Sequence, residues 1–171
     1  MPITLDDYIL GESNETIRID SSQDCSEAVL ALTRQANRSL SIFTHKLDRR
    51  VYNSLDIYSA ALKLASRSRH SQIRIIIKDT TDVVKRGSRL VELGHRLSSR
   101  VQFRTPPTEY RDFNEEFVIV DEIGLLHRRL ASRYDADLSF CEPKNSRQLQ
   151  KYFDECWEKS AQDPNLRQLH L

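Results

Sequence analysis

The chain has 171 residues, 39% hydrophobic and 30% charged, with 26 Lys and Arg against 25 Asp and Glu for a formal net charge of +1. That size and balance fit one soluble globular domain, and only 4 Gly and 5 Pro argue against disorder or repeats. A charge near zero excludes a global pull toward nucleic acid or an anionic membrane, and no apolar run nears the roughly 18–20 residues that cross a bilayer.

The opening Met1-Pro2-Ile3-Thr4-Leu5-Asp6-Asp7 lacks the basic start and apolar centre of a signal peptide. Residues 1–20 read as a polar N-terminal extension, in which the alternation of Thr16-Ile17-Arg18-Ile19 fits a strand or a tail laid on a sheet. Ser21-Ser22-Gln23-Asp24 is a capping pattern, and Cys25, Ala28, Val29, Leu32 and Ala36 recur at helical spacing to about Asn37. Leu40, Ile42 and Phe43 form a short strand ending near Thr44. A second helix is expected from Asp48 to Ser68, burying Val51, Leu55, Tyr58, Leu62 and Ala65. Gln72 to Lys78, with Ile73, Ile75, Ile76 and Ile77, is the clearest strand and is expected near the sheet centre. Thr81 or Asp82 starts a third helical stretch whose face carries Val83, Gly87, Leu90, Gly94 and Leu97.

Val101 to Phe103 is a further strand, and Pro106-Pro107 forces a loop. Phe117-Val118-Ile119-Val120 is a short β-branched run that reads as a buried strand, with a neighbour after Gly124 and a third at Ala136 to Phe140. The last helix follows Pro143, with Leu149, Tyr152, Phe153, Cys156 and Ser160 on one side and Trp157 adjacent, and Pro164 ends the regular structure ahead of a tail. This order predicts an α/β domain over residues 21–163, a mixed, mostly parallel sheet flanked by helices on both faces, and a C-terminal tail over 164–171. Cys25, Cys141 and Cys156 are odd in number and show no Cys-x-x-Cys spacing. Cys25 and Cys156 on apolar helical faces predict buried free thiols and a reducing, cytoplasmic setting.

Asn114-Glu115-Glu116 leads into the Phe117 strand. Because side chains two apart share a strand face, Asn114, Glu116 and Val118 point one way and Glu115, Phe117 and Ile119 the other. The segment resembles the signature strand of the phospholipase D superfamily, His-x-Lys-x-x-x-x-Asp. Asn114 stands at the His position, Glu116 at the Lys position and Asp121 at the Asp position. In that family the His attacks phosphorus and the Lys neutralises a phosphate oxygen. An Asn is no such nucleophile and a Glu would repel the phosphate. Arg128-Arg129-Leu130-Ala131 stands where the family continues with Gly-Ser-x-Asn. The resemblance spans residues 22 to 160. It implies a phospholipase D-like half with a degenerate active site and no phosphodiesterase activity, working as a binding or regulatory module that docks a protein partner or senses a small anion. It also implies a homodimer through the Asn114–Asp121 edge.

The candidate anion or partner site is His45, Lys46, Arg128 and Arg129, because guanidinium forks and lysine ammonium groups suit phosphate. The simpler and favoured alternative pairs one of the two arginines with Glu116 or Asp121 and leaves the other in solvent. The second functional reading is a phosphodiesterase or nuclease with a displaced nucleophile, His45 or His127. The third is a nucleic-acid-binding protein using Arg49, Arg50, Lys85, Arg86 and Arg89 together with Arg67-Ser68-Arg69-His70, not favoured because these runs lack interleaved aromatics. A metal site from Asp112, Glu115, Glu116 and Asp121 matches no established spacing, and few glycines exclude a P-loop or dinucleotide fingerprint. No metal, no cofactor and no membrane association are expected.

Overall fold

The computed structural model describes residues 3–167; Met1, Pro2 and residues 168–171, the end of the expected C-terminal tail, lie outside them. The strands are β1 (Ile17–Ile19), β2 (Ser39–Thr44), β3 (Gln72–Ile77), β4 (Val101–Arg104), β5 (Glu116–Val120), β6 (Gly124–Arg128) and β7 (Ala136–Ser139). They form one seven-stranded sheet in the order β1-β7-β6-β5-β2-β3-β4. The expected mixed α/β sheet is present. Its parallel part is confined to β2–β3–β4, whose connections run through helices; β5, β6 and β7 follow one another through short turns and loops, and β5, β6, β7 and β1 pair antiparallel. The expectation of a mostly parallel sheet is therefore corrected. Residues 3–20 belong to the folded unit. Ile17 to Ile19 add the edge strand on β7, the Tyr8 ring stacks on Phe140 at 5.5 Å, and the Gln35 amide bridges the Leu10 N–H and the Tyr8 carbonyl.

Alternation along the strands divides the interior. Leu40, Ile42, Ile73, Ile75, Ile77, Val118 and Val120 meet α1 (Ser22–Gln35), α3 (Leu55–Arg67) and α5 (Arg89–Arg96) on one face. Phe43, Ile76, Phe117 and Ile119 meet Phe153, Cys156 and Trp157 of α6 (Pro143–Lys159) on the other. Ser21 caps α1 as its pattern predicts, accepting from the Asp24 N–H at 3.1 Å. Cys25 and Cys156 are buried free thiols.

Two long helices of the sequence reading are each split in two. The Asp48 helix ends after α2 (Arg49–Tyr52), and Ser54 caps a new start for α3 by accepting from the Ile57 N–H. The third stretch breaks between α4 (Thr81–Arg86) and α5, where Gly87 takes a φ of +79° and Ser88 caps the restart. Helical periodicity survives both breaks because cap residues take up the turn. Pro164 opens one helical turn, α7 (Pro164–Arg167), and Leu166 is buried beneath it, so regular structure continues past the expected end. Among the described residues no helix is long and apolar enough to cross a membrane.

Candidate functional site

The carboxyl end of β2 and the amino end of β5 meet the carboxyl end of β6. Phe43 pairs with Phe117, so Thr44 and Glu116 are the next residues in the antiparallel register, and Glu116 pairs with Arg128. These three side chains share the face that carries Ile42 and Val118, and all three are buried. The Thr44 hydroxyl donates to Glu116 Oε1 at 2.7 Å, and Arg128 Nη1 donates to the same oxygen at 3.2 Å. The Thr44 oxygen also accepts from the Leu47 N–H at 3.2 Å, which helps hold Leu47 at its φ of +55°.

Arg128 ties this row to the loop that follows it. Nε donates to the Arg133 carbonyl and Nη2 to the Ala131 carbonyl, both at 2.9 Å, and the guanidinium lies 5.0 Å from the centre of the Tyr134 ring. The Tyr134 hydroxyl donates to Asp48 Oδ2 at 2.6 Å, and the Ala131 N–H donates to the Asn114 carbonyl. Burial pushes the Glu116 carboxyl above its ordinary range, while Arg128, the Thr44 hydroxyl and the His45 amide pull it back. This is the simpler of the two sequence alternatives: a buried carboxylate paired with Arg128.

Above the row opens a cavity of about 680 Å³. His45, Lys46, Asn114, Glu116 and Arg128 all line it, so three of the four candidate binding residues and two of the three motif residues come together. Arg129 does not. It follows the last residue of β6 and points into solvent away from the cavity, 3.8 Å from Asp137. Asp121 sits at the far end of β5, in the turn to β6 with a φ of +51°. Its carboxylate accepts from the N–H groups of Asn37, Arg38 and Ser39 at 2.7–3.0 Å and so fixes the entry to β2. His127 also lies outside the cavity; its Nε2 is 2.5 Å from Glu115 Oε1. Of the two displaced-nucleophile candidates only His45 lines the cavity. The carboxylates weighed for a metal have diverged as well: Glu115 meets His127, Glu116 meets Arg128, and Asp121 caps β2 from the other end of the strand.

Arg49, Arg50 and Arg86 join the cavity lining, with Asp48 and Asp82 among them. In the sequence these arginines stand in basic runs with no link to the motif. Arg49 Nη1 donates to the Gly87 carbonyl at 2.8 Å, a link between α2 and the α4–α5 break that depends on the very helix ends that periodicity smoothed over. Tyr134, in an irregular loop, gave no signal at all.

No curated protein matches the chain by sequence. Residues 21–169, most of the chain, match the family described as a domain of unknown function, DUF7931. The chain belongs to that family. Solved structures add a likeness of fold. Nuc from Salmonella typhimurium, a phospholipase D family member, superposes with a TM-score of 0.59 at 15% identity, over 87% of this chain and 99% of that one. NucT from Helicobacter pylori gives 0.61 at 12% identity over 87% and 99%. TrmBL2, an archaeal chromatin protein with a novel mode of DNA binding, gives 0.63 at 12% identity over 89% of this chain and 55% of that one. The fold is phospholipase D-like, as the signature strand and the order of elements imply.

Proposed function

We propose that the cavity is a non-catalytic anion-binding site, and that the chain is a binding or regulatory module built on a phospholipase D-like fold. The observation that carries this reading is the Glu116–Arg128 pair. At the place where the resemblance puts a lysine that neutralises phosphate, this chain has a buried carboxylate already matched by its own cation. Asn114, at the place of the attacking histidine, brings an amide with no nucleophilic lone pair. What remains for a ligand is the mouth, where Lys46, Arg49, Arg50 and Arg86 outnumber Asp48 and Asp82. A chromogenic phosphodiester incubated with the protein beside His45→Ala tests this. No release by either protein is expected; release by the parent that disappears in His45→Ala would replace this reading with a displaced-nucleophile phosphodiesterase.

A second reading, non-catalytic nucleic-acid binding, is favoured by one further observation. Lys85 and Arg89 are exposed and adjoin Arg86 and Arg49, so the cationic rim continues beyond the cavity. It predicts an affinity that falls steeply with salt as phosphate contacts release counterions. Affinity unchanged from low to physiological salt would discard it. The homodimer implied by the resemblance must avoid strand pairing, since β5 is already paired on both sides. Two copies would meet at its amino end, around Asn114. Light scattering that gives a monomer mass at tens of micromolar would remove that assembly.

A further inference from the structure

We infer that the ligand is a small organic anion bound with its charge outward: an apolar or aromatic body occupies the cavity, and a phosphate or carboxylate head stays at the mouth. This rests on the anion-binding reading above and adds to it the orientation and the chemical class of the ligand.

The lining sorts by depth. Leu47 and Val83 are each 2% exposed, and Glu116 and Arg128 each 4%. Lys46, Arg50, Arg86 and Leu130 are exposed, Leu130 at 50%. The depth of the cavity is thus two aliphatic side chains and one ion pair, and the exposed cations stand outside. The ion pair is a poor inner seat for an anion, because the Glu116 carboxylate shares it. All three guanidinium nitrogens of Arg128 have partners, in Arg133, Glu116 and Ala131, and one of its faces lies on Tyr134. The Thr44 hydroxyl is spent on Glu116 and on the Leu47 amide. A phosphate pushed to that depth would lose its water and face the Glu116 carboxylate, with three of the five Arg128 N–H groups already spent on Arg133, Glu116 and Ala131.

An anion with no body gains nothing from the space beneath the rim. A cavity of about 680 Å³ has the size of sites that hold organic ligands. Leu47 and Val83 below, with Leu130 at the edge, supply apolar contact for an aryl or alkyl group, while its charge remains within reach of Lys46, Arg50 and Arg86. The orientation is opposite to one in which phosphate is the innermost group.

The test is calorimetric titration with inorganic phosphate, phenyl phosphate and phenol. Phenyl phosphate should bind about tenfold or more tightly than inorganic phosphate, because ring carbons leave water. Lys46→Ala and Arg86→Ala should weaken both phosphates. Leu130→Ser, a change at an exposed position, should narrow the gap by weakening phenyl phosphate alone, with unchanged melting to show that the fold is intact. Intermolecular proton contacts seen by NMR should run from the ring to the methyl groups of Leu47 and Val83. Equal affinity for the two phosphates, or a ring with no contact to those methyl groups, overturns the inferred orientation and leaves the anion-binding reading standing. Phosphates that fail to bind at all, or phenol binding as tightly as phenyl phosphate, overturn both.

Discussion

Arg128→Met removes the cation under the cavity while keeping most of the volume. The parent side chain is 4% exposed, donates to Glu116 at 3.2 Å and to the carbonyls of Ala131 and Arg133 at 2.9 Å, and stacks on Tyr134. Removing one partner of a buried pair costs about 3–5 kcal/mol, mostly because the other charge is left without compensation. In a chain of this length each kcal/mol moves the melting temperature by about 2–4 °C, so a fall of about 6–20 °C is expected at neutral pH. The cost must also depend on pH. Burial already raises the Glu116 pKa and Arg128 lowers it, so the substitution raises it further. A carboxyl whose folded pKa lies above its unfolded value contributes stability that is complete below the unfolded pKa and is lost as pH climbs through the folded one. The variant should therefore approach the parent in acid and fall away from it as pH rises above the ordinary carboxylate range. Denaturant titrations at a series of pH values measure this, and adding Glu116→Gln should abolish the trend. A loss under about 1 kcal/mol at neutral pH, or an equal loss in acid and at neutrality, would refute the role given to the pair.

Asp121→Ala should cost about 2–3 kcal/mol in denaturant titrations through the three amides it leaves unpaired, yet leave anion binding unchanged because it stands at the other end of β5. Gly124→Ala should cost about 1–3 kcal/mol, since a Cβ there would lie 2.6 Å from Leu10 and 2.8 Å from Val120, and thermal melting reads it directly. Burial pushes the Cys25 thiol up to about 11 and raises Cys156 as well, so a thiol reagent at mildly alkaline pH should modify the half-exposed Cys141 first, all three reacting only after denaturation.

The fold was legible where apolar periodicity was unbroken. The runs at Leu40, Ile73, Val101, Phe117 and Leu125 are strands, and the resemblance at Asn114–Asp121 pointed to the phospholipase D-like fold that the sheet has. Direction was less legible: the parallel part ends at β2 because β5 enters beside it in the opposite sense, and no local pattern specifies that neighbour. Helix breaks at Asn53-Ser54 and Gly87-Ser88 were hidden because the apolar stripe continues across them. The strand alternation of Arg128 and Arg129 implied that one would pair and the other face solvent, but it left Glu116 and Asp121 open as partners; the pairing of β5 with β6 selects Arg128 and Glu116. The rest of the cavity was not legible. Arg49, Arg86 and Tyr134 reach it through short helices and an irregular loop, where sequence spacing carries no information about distance.

The most direct test of the account is a phosphorus NMR titration of a simple aryl phosphodiester with the purified protein, followed over hours in one tube. A non-catalytic anion site gives a saturable shift or broadening of the diester signal and no growth of a monoester signal. A monoester signal that grows in proportion to protein would contradict the non-catalytic site, and a diester signal untouched at any protein concentration would contradict anion binding.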